Sequence, residues 1–312
     1  MNALCEPPPN AAAPPWWVRI LGRIPLPFMY GLGKLIAFVA SDVFRYRVSV
    51  ARENLRVALP ELDELRRRLV LHRHYQAFAE VLCELPRVAV MSTAELRARV
   101  SMPDLDLLKA EFAAGQSVLL LTAHQCNWEW LLQALALDLG RPFLAAYKPP
   151  HSARAERTML ALRGRFGVRM VPGKRLLREV LRRRQDVHAI GMVADQMPTS
   201  SGGRIWLNFL GRATAFFPGP AQVARLGGYN TYFLALRRTR RGYYQARFTL
   251  LARASEALDT VEFTGRYAAS VEAQLREYPA DWTWTHRRWK LQPPAPLPSA
   301  PPPVTPPPAA LP

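Results

Sequence analysis

Short apolar runs alternate with stretches of helical periodicity through the second half of the chain. Residues 117–122 (SVLLLT) are almost wholly apolar, as expected of a strand buried on both faces. Residues 128–139 have helical spacing and end at Gly140, and 142–147 read as a second strand. A helix over 156–166, a strand over 168–171, a basic helix over 176–184 and a buried strand over 188–194 (HAIGMVA) follow. Residues 220–226 read as helix, 231–236 as strand, and 243–251 as its antiparallel neighbour. This order predicts an α/β fold whose mixed, mainly parallel sheet is flanked by helices. In such sheets ligands gather at the C-terminal strand ends, which points to AHQCNWE after residue 122 and ADQ after residue 193.

The first half reads differently. Residues 46–114 predict helices, among them 65–82, with its RRRL and HRHY segments and both His72 and His74 on a solvated face. Residues 92–100 open on a Ser/Thr cap. Residues 16–44 are apolar, interrupted by Lys34 and Asp42, with Pro25 and Pro27 near the start and Arg45 and Arg47 just beyond. A bilayer-spanning helix needs about 20 apolar residues. Length and the flanking Trp16, Trp17 and Tyr30 favour a membrane-associating helix, spanning or lying in the interface, over a buried core helix. The expected organisation is a disordered stretch at 1–15, the membrane-associating helix at 16–44, a domain at 45–291 (helical to about 114, α/β after) and a disordered Pro-rich tail at 292–312.

Charge narrows the choice of partner. Forty-two Lys and Arg against 24 Asp and Glu give a net charge of +18, a field that draws polyanions: nucleic acid, an anionic membrane face or an acidic protein. Nucleic acid is disfavoured because most aromatics sit in apolar runs or near the N-terminus rather than among the cations. Three scattered cysteines without CxxC spacing argue against a disulfide scaffold or zinc site, and no cleavable signal peptide is evident. No GxGxxG or GxxxxGK[ST] pattern occurs, which argues against a nucleotide-dependent enzyme.

The candidate chemistry begins with His124, directly after a buried strand, and Glu129, five positions on at the start of a helix. A carboxylate held against one imidazole nitrogen fixes the tautomer and lets the other nitrogen deprotonate a hydroxyl. The spacing alone is weak, since six histidines and 24 acids in 312 residues give about 0.5 such matches by chance. Cys126 reads as a small buried thiol rather than a nucleophile. Asp195 and Gln196 close the strand at 188–194, as a turn or as ligand-facing groups. Arg163, Arg165 and the run 182–184 are either a solvated face or grips for phosphate and carboxylate.

With these residues in view, the chain resembles a known family. SVLLLTAHQCNWE looks like the HX4(D/E) motif of glycerolipid-type acyltransferases, in the context of the bacterial lipid A biosynthesis (late, lauroyl/myristoyl) acyltransferases. RYRVSVARENLRVALPEL is similar to that family's NL…FPE segment, with Leu59 where Phe is usual. LRGRFGVRMVP, the block from ADQMPTSSGG to GPAQVAR, and YPADWTWTHRRWK match further family segments in the family's order, covering about residues 17 to 291. The resemblance implies a glycerolipid acyltransferase-like fold and a catalytic His124–Glu129 dyad. It sets Asp195 at the family's DQ aspartate, beside Gln196, and Arg163 at its conserved arginine, with Arg165 the near alternative. It also implies acyl carrier protein as thioester donor, a hydroxyl of an anionic, Kdo-bearing lipid A precursor as acceptor, and the cytoplasmic face of the bacterial inner membrane. No metal or cofactor is expected. The alternative is a lysophospholipid or aminolipid O-acyltransferase using the same dyad.

Overall fold

A computed structural model of the protein describes residues 13–198 and 203–294. The disordered segments expected at 1–15 and 292–312 lie almost wholly outside those residues. The chain opens with α1 (Trp16–Arg23) and α2 (Leu26–Phe38), the second prolonged by a π-helical turn at Val39–Val43. Pro25 and Pro27 fall at the start of α2, where a missing N–H costs no helical hydrogen bond. Then come α3 (Val48–Ala58) and α4 (Glu64–Glu84), the latter capped by the Asp63 carboxylate on the Arg66 N–H at 2.7 Å. Next are α5 (Thr93–Arg99), capped by Ser92, the two-residue strand β1 (Val100–Ser101) and α6 (Leu105–Ala113).

The alternating half follows: β2 (Val118–Thr122), α7 (Trp128–Asp138), β3 (Phe143–Tyr147), α8 (Ala153–Arg163), β4 (Arg169–Pro172), α9 (Leu176–Arg182) and β5 (Ala189–Val193). A hairpin of β6 (Ile205–Phe209) and β7 (Arg212–Phe216), then α10 (Gly219–Gly227), β8 (Asn230–Arg240), β9 (Tyr243–Ala252) and α11 (Thr260–Glu277), complete the set. Seven strands form one sheet in the order β1-β9-β8-β2-β5-β3-β4, in which only the β8–β9 pair is antiparallel. The mixed, mainly parallel sheet flanked by helices is therefore as the sequence predicts. β2 lies in the middle and is buried on both faces. Val118 and Leu120 point into a core shared with Trp130, Leu131 and Phe143, while Leu119, Leu121 and Ala123 join one built with Leu55, Val271 and Trp282.

One expectation fails in the helical half. His74 is not solvated: it is 1% exposed, on the side of α4 that packs inward, while His72 is exposed. The basic residues around it masked an apolar stripe made by Tyr75, Ala79 and Val81.

The N-terminal helices are apolar on two sides. α2 buries Leu26, Met29, Tyr30, Gly33 and Ala37, spaced as one helical face, largely against α4; its Gly33 lies near Glu80, where an added Cβ would be 3.5 Å from the Glu80 Cα. On the outer side of α1 and α2, and along the turn after them, Trp16, Phe28, Leu35, Phe38 and Phe44 are exposed, Phe28 at 73% and Phe44 at 76%.

Candidate active site

The site is built by strand register. Thr122 of β2 pairs with Val193 of the parallel neighbour β5, so His124 and Asp195, each two residues further, leave the sheet side by side. Tyr267 of α11 ties the two strand ends together, donating its hydroxyl to the Thr122 carbonyl (2.8 Å) and accepting from the Ala194 N–H (3.2 Å). Asp195 is fully buried, and its Oδ1 lies 2.7 Å from His124 Nδ1. Oδ1 also accepts the His124 backbone N–H at 3.1 Å, and Oδ2 accepts the indole N–H of Trp282 at 2.8 Å. Burial pushes the Asp195 carboxyl up, but the His124 charge and these hydrogen bonds outweigh it and hold the group below the usual carboxylate range. An ionised carboxylate only accepts, so the Nδ1 that faces it carries a proton, and in the neutral form of the ring the lone pair is then on Nε2. The half-buried ring lies edge-on to Trp128, with centroids 5.2 Å apart.

Glu129 stands elsewhere than the sequence suggested. Its two oxygens engage Arg163 as a fork, Nε to Oε2 at 2.8 Å and Nη2 to Oε1. The carboxylate on the imidazole is thus Asp195, which the sequence placed among substrate-binding groups, and Glu129 is the partner of the arginine at the end of α8. The expected pairing rested on closeness along the chain, whereas neighbouring parallel strands bring residues 71 positions apart into contact.

The loop between β2 and α7 is held from below. Asn127 caps α7 through its Oδ1, 2.9 Å from the Trp130 N–H, and its amide donates to the buried Glu84 carboxylate at 2.7 Å. Glu84 also accepts the hydroxyls of Tyr244 (2.7 Å) and Tyr30 (3.0 Å), so one carboxylate links the loop to β9 and α2. Cys126 takes φ 52°, a left-handed conformation uncommon outside glycine and frequent at functional sites. Its thiol is buried and reaches the Leu236 carbonyl at 3.4 Å, and burial drives its pKa well above the ordinary thiol value. That fits the buried, unreactive thiol expected from the sequence.

A cleft of about 1410 Å³ opens over the C-terminal edge of the sheet, lined by His124, Trp128, Glu129, Arg163 and Gln196 among others. Arg165 is not part of it. That side chain is exposed, donates to the Met91 carbonyl at 2.6 Å and lies over the Phe166 ring. Beside the cleft is a smaller apolar pocket of about 460 Å³, walled by Trp17 of α1, Val88, Met159 and Leu162. Glu129, Met159 and Arg163 line both spaces, so the Glu129–Arg163 pair stands between them.

Four groups around the site carried no assigned role in the sequence reading. Trp282 and His286 fall in the YPADWTWTHRRWK segment. His286 accepts the Met197 N–H at 3.1 Å, and burial with the Arg288 charge lowers its pKa to about 4, so it stays neutral. Asn54 explains the matching NL segment: its amide donates to the Trp284 and His286 carbonyls at 2.8 and 2.9 Å, fixing the loop that supplies Trp282. Tyr267, on α11, gave no signal in the sequence. Among the described residues no cluster of His, Cys, Asp and Glu suited to a metal ion occurs.

Comparison with known proteins identifies relatives along most of the chain. The chain is 22% identical over 290 residues to a lipid A biosynthesis palmitoleoyltransferase of Escherichia coli (strain K12), covering 90% of this chain and 93% of that protein. It is 22% identical over 200 residues to a lipid A biosynthesis acyltransferase of Haemophilus influenzae, over 62% of this chain and 60% of that one. It is 26% identical over 221 residues to a phosphatidylinositol mannoside acyltransferase of Mycolicibacterium smegmatis, over 68% and 70%. The family model for bacterial lipid A biosynthesis acyltransferases matches residues 16–291, nearly all of the described chain. With that extent of match, the chain belongs to the bacterial lipid A biosynthesis acyltransferase family, and it is an acyltransferase.

Proposed function

We propose that this enzyme moves a fatty acyl group from a thioester on acyl carrier protein to a hydroxyl of a lipid A precursor, with His124 as general base. The observation that carries the reading is His124 itself, its Nδ1 held by a buried, ionised Asp195 and its Nε2 without a hydrogen-bond partner among the described residues, on a ring that lines the large cleft. Nε2 takes the proton of the acceptor hydroxyl as that oxygen attacks the thioester carbonyl. Asp195 stabilises the resulting imidazolium. Arg163, held in place by Glu129, and the positive end of α7 meet the oxyanion of the tetrahedral intermediate. When the carbon–sulfur bond breaks, the imidazolium returns its proton to the departing thiolate, giving an ester and the free carrier thiol. The expected His124–Glu129 dyad becomes, in this reading, a His124–Asp195 pair with Glu129 acting through Arg163. The apolar pocket beside that arginine suits a hydrocarbon chain, since about 0.8 kcal/mol is gained per buried methylene.

The same reading sets the protein on the cytoplasmic face of the bacterial inner membrane, lying in the interface. The eighteen residues from Leu26 to Val43 rise about 27 Å as a helix, short of the roughly 30 Å hydrocarbon core. One side of α2 is already committed to α4, and a spanning helix would have to give up that packing. The apolar outer face would enter the headgroup region, with Arg45 and Arg47 beside it for anionic lipid. A second acceptor, a phosphoinositide-type glycolipid, is favoured only by the mycobacterial relative's name.

The test is acyl transfer by the purified full chain from acyl carrier protein to the precursor, with His124→Ala beside it. Transfer by the wild type and loss of about a thousandfold or more in kcat for the variant is expected. A variant that keeps near wild-type kcat removes His124 from the chemistry.

A further inference from the structure

The large cleft is not evenly charged. Five cationic side chains line it, Lys148, Arg163, Arg169, Lys174 and Arg175, against three carboxylates, Glu129, Glu156 and Glu179. All three carboxylates are engaged. Glu129 holds Arg163, Glu156 accepts the Tyr147 hydroxyl at 2.8 Å, and Glu179 lies 2.9 Å from Arg182, 3.8 Å from Arg183 and 3.9 Å from Arg169. Lys148, Lys174 and Arg175 are left over: exposed, lining the cleft and, among the described residues, without a carboxylate within ion-pair distance. Elsewhere, Arg238 is matched by Glu80 and Arg87 by Glu95.

Topology brings these three cations together. Lys148 follows β3 directly, and Lys174 and Arg175 follow β4 by two and three residues, while Tyr147 and Pro172 are register partners. The two loops touch, since a Cβ on Gly173 would lie 3.8 Å from the Tyr147 carbonyl oxygen. Both loops leave the sheet at the edge that carries His124 and Asp195. The order β2-β5-β3-β4 sets β4 three strands from β2, about 14 Å at the usual spacing between strands. Like charges gathered without counter-charges repel one another, and a bound polyanion relieves that repulsion.

We propose that Lys148, Lys174 and Arg175 form a phosphate subsite, holding a phosphate group of a substrate whose reacting atom lies at His124, roughly 14 Å away. The inference deepens the acyl-transfer reading and rests on it for the identity of the substrates. Phosphate reaches such a site from two sources, the headgroup of the acceptor glycolipid or the prosthetic arm of the acyl carrier, and the chemistry of recognition is the same.

Equilibrium binding with one substrate present at a time separates them and needs no turnover, so its failure is distinct from failure of acyl transfer. The full chain in detergent micelles is compared with a Lys148→Ala/Lys174→Ala/Arg175→Ala variant. Four probes are used: the phosphorylated glycolipid, its phosphatase-treated form, acyl carrier protein with its phosphopantetheine arm, and an acyl-pantetheine lacking phosphate. The expected result is a Kd about tenfold or more weaker for one phosphate-bearing probe, with its phosphate-free counterpart bound as by the wild type. Which probe weakens identifies the source. Equal binding of all four probes by both proteins overturns the subsite, and so does equal loss with and without phosphate, which would mark general damage to the cleft. A Lys148→Arg/Lys174→Arg variant, with Arg175 retained, keeps the charge and is expected to bind as the wild type does. Its failure to do so, with the alanine effect present, would also count against a charge-based site.

Discussion

His124 and Asp195 are each two residues beyond a register pair on neighbouring parallel strands, and this places a buried carboxylate 2.7 Å from the imidazole. The pairing depends on strand register rather than on a flexible loop, so it is held by the hydrogen bonds of the sheet and by the Tyr267 bridge across both strand ends. Replacing Asp195 with Asn keeps the shape and removes the charge. The neutral amide no longer fixes the Nδ1–H tautomer or stabilises the imidazolium. Steady-state kinetics are expected to show kcat lowered by about a thousandfold or more with KM little changed. Glu129→Gln is expected to cost less, about a hundredfold, because it acts through the hold on Arg163. The opposite order of the two losses would return Glu129 to the imidazole.

How much of this was legible beforehand follows from where each contact lies along the chain. β2 and β5 were readable because strands buried on both faces are wholly apolar, and the rule about strand ends pointed to His124 and Asp195 together. The partnership between them was not readable, because it needs the strand order, and a single sequence carries no pairing information. Arg163 and Arg165 look alike in sequence, yet a helix end and a following turn send one into the cleft and the other to the Met91 carbonyl. The β6–β7 hairpin and α11 gave weak patterns, α11 because its buried face includes Thr264 and Gln274. Trp282 was visible within a matching segment, but the indole's bond to Asp195 is a long-range contact.

The outer face of the N-terminal helices offers a test of interfacial binding. Phe28 and Phe44 are 73% and 76% exposed, so changing both to Ser removes little from the core. Each buried phenyl is worth about 1.5–3 kcal/mol. Flotation with vesicles of phosphatidylethanolamine and phosphatidylglycerol should show the double variant bound about tenfold or more weakly, at unchanged Tm. Undiminished binding would mean that this face does not meet the lipid.

The apolar pocket beside Arg163 makes a prediction about chain length. Ala155 on α8 lines it, and Ala155→Trp would fill much of its 460 Å³. Mass spectrometry of the product lipid, with a mixture of acyl donors, should then show shorter chains than the wild type attaches. An unchanged distribution would place the acyl chain elsewhere, in the larger cleft.

Cys126 lies two residues from His124 but is sealed away, with its thiol pKa raised by burial. Treatment of the folded protein with iodoacetamide at neutral pH is expected to leave acyl transfer intact, because a protonated, inaccessible thiol does not react. Cys126→Ala should hold kcat within about threefold while lowering stability by about 1 kcal/mol for the lost sulfur packing. Rapid inactivation prevented by bound substrate would instead mark an exposed thiol in the cleft.

Acid sensitivity follows from His74. Unfolded, its imidazole protonates near pH 6.5, whereas burial in the fold holds that step down to about 4. The unfolded chain therefore binds more protons between these values, and stability must fall as the pH drops through that window. Above pH 6.5 the contribution is constant, and it is lost progressively towards pH 4. At about 1.36 kcal/mol per pH unit of difference, the whole step is of the order of 3 kcal/mol. His286, lowered to about 4 as well but less deeply buried, adds in the same direction. Thermal melts of the wild type and His74→Phe from pH 7.5 to pH 4 check this. The wild-type Tm should fall more steeply below 6.5 than that of the variant, whatever their difference at neutral pH. Parallel curves would mean that His74 takes up its proton in the fold as readily as in the unfolded chain, so that burial does not hold the step down.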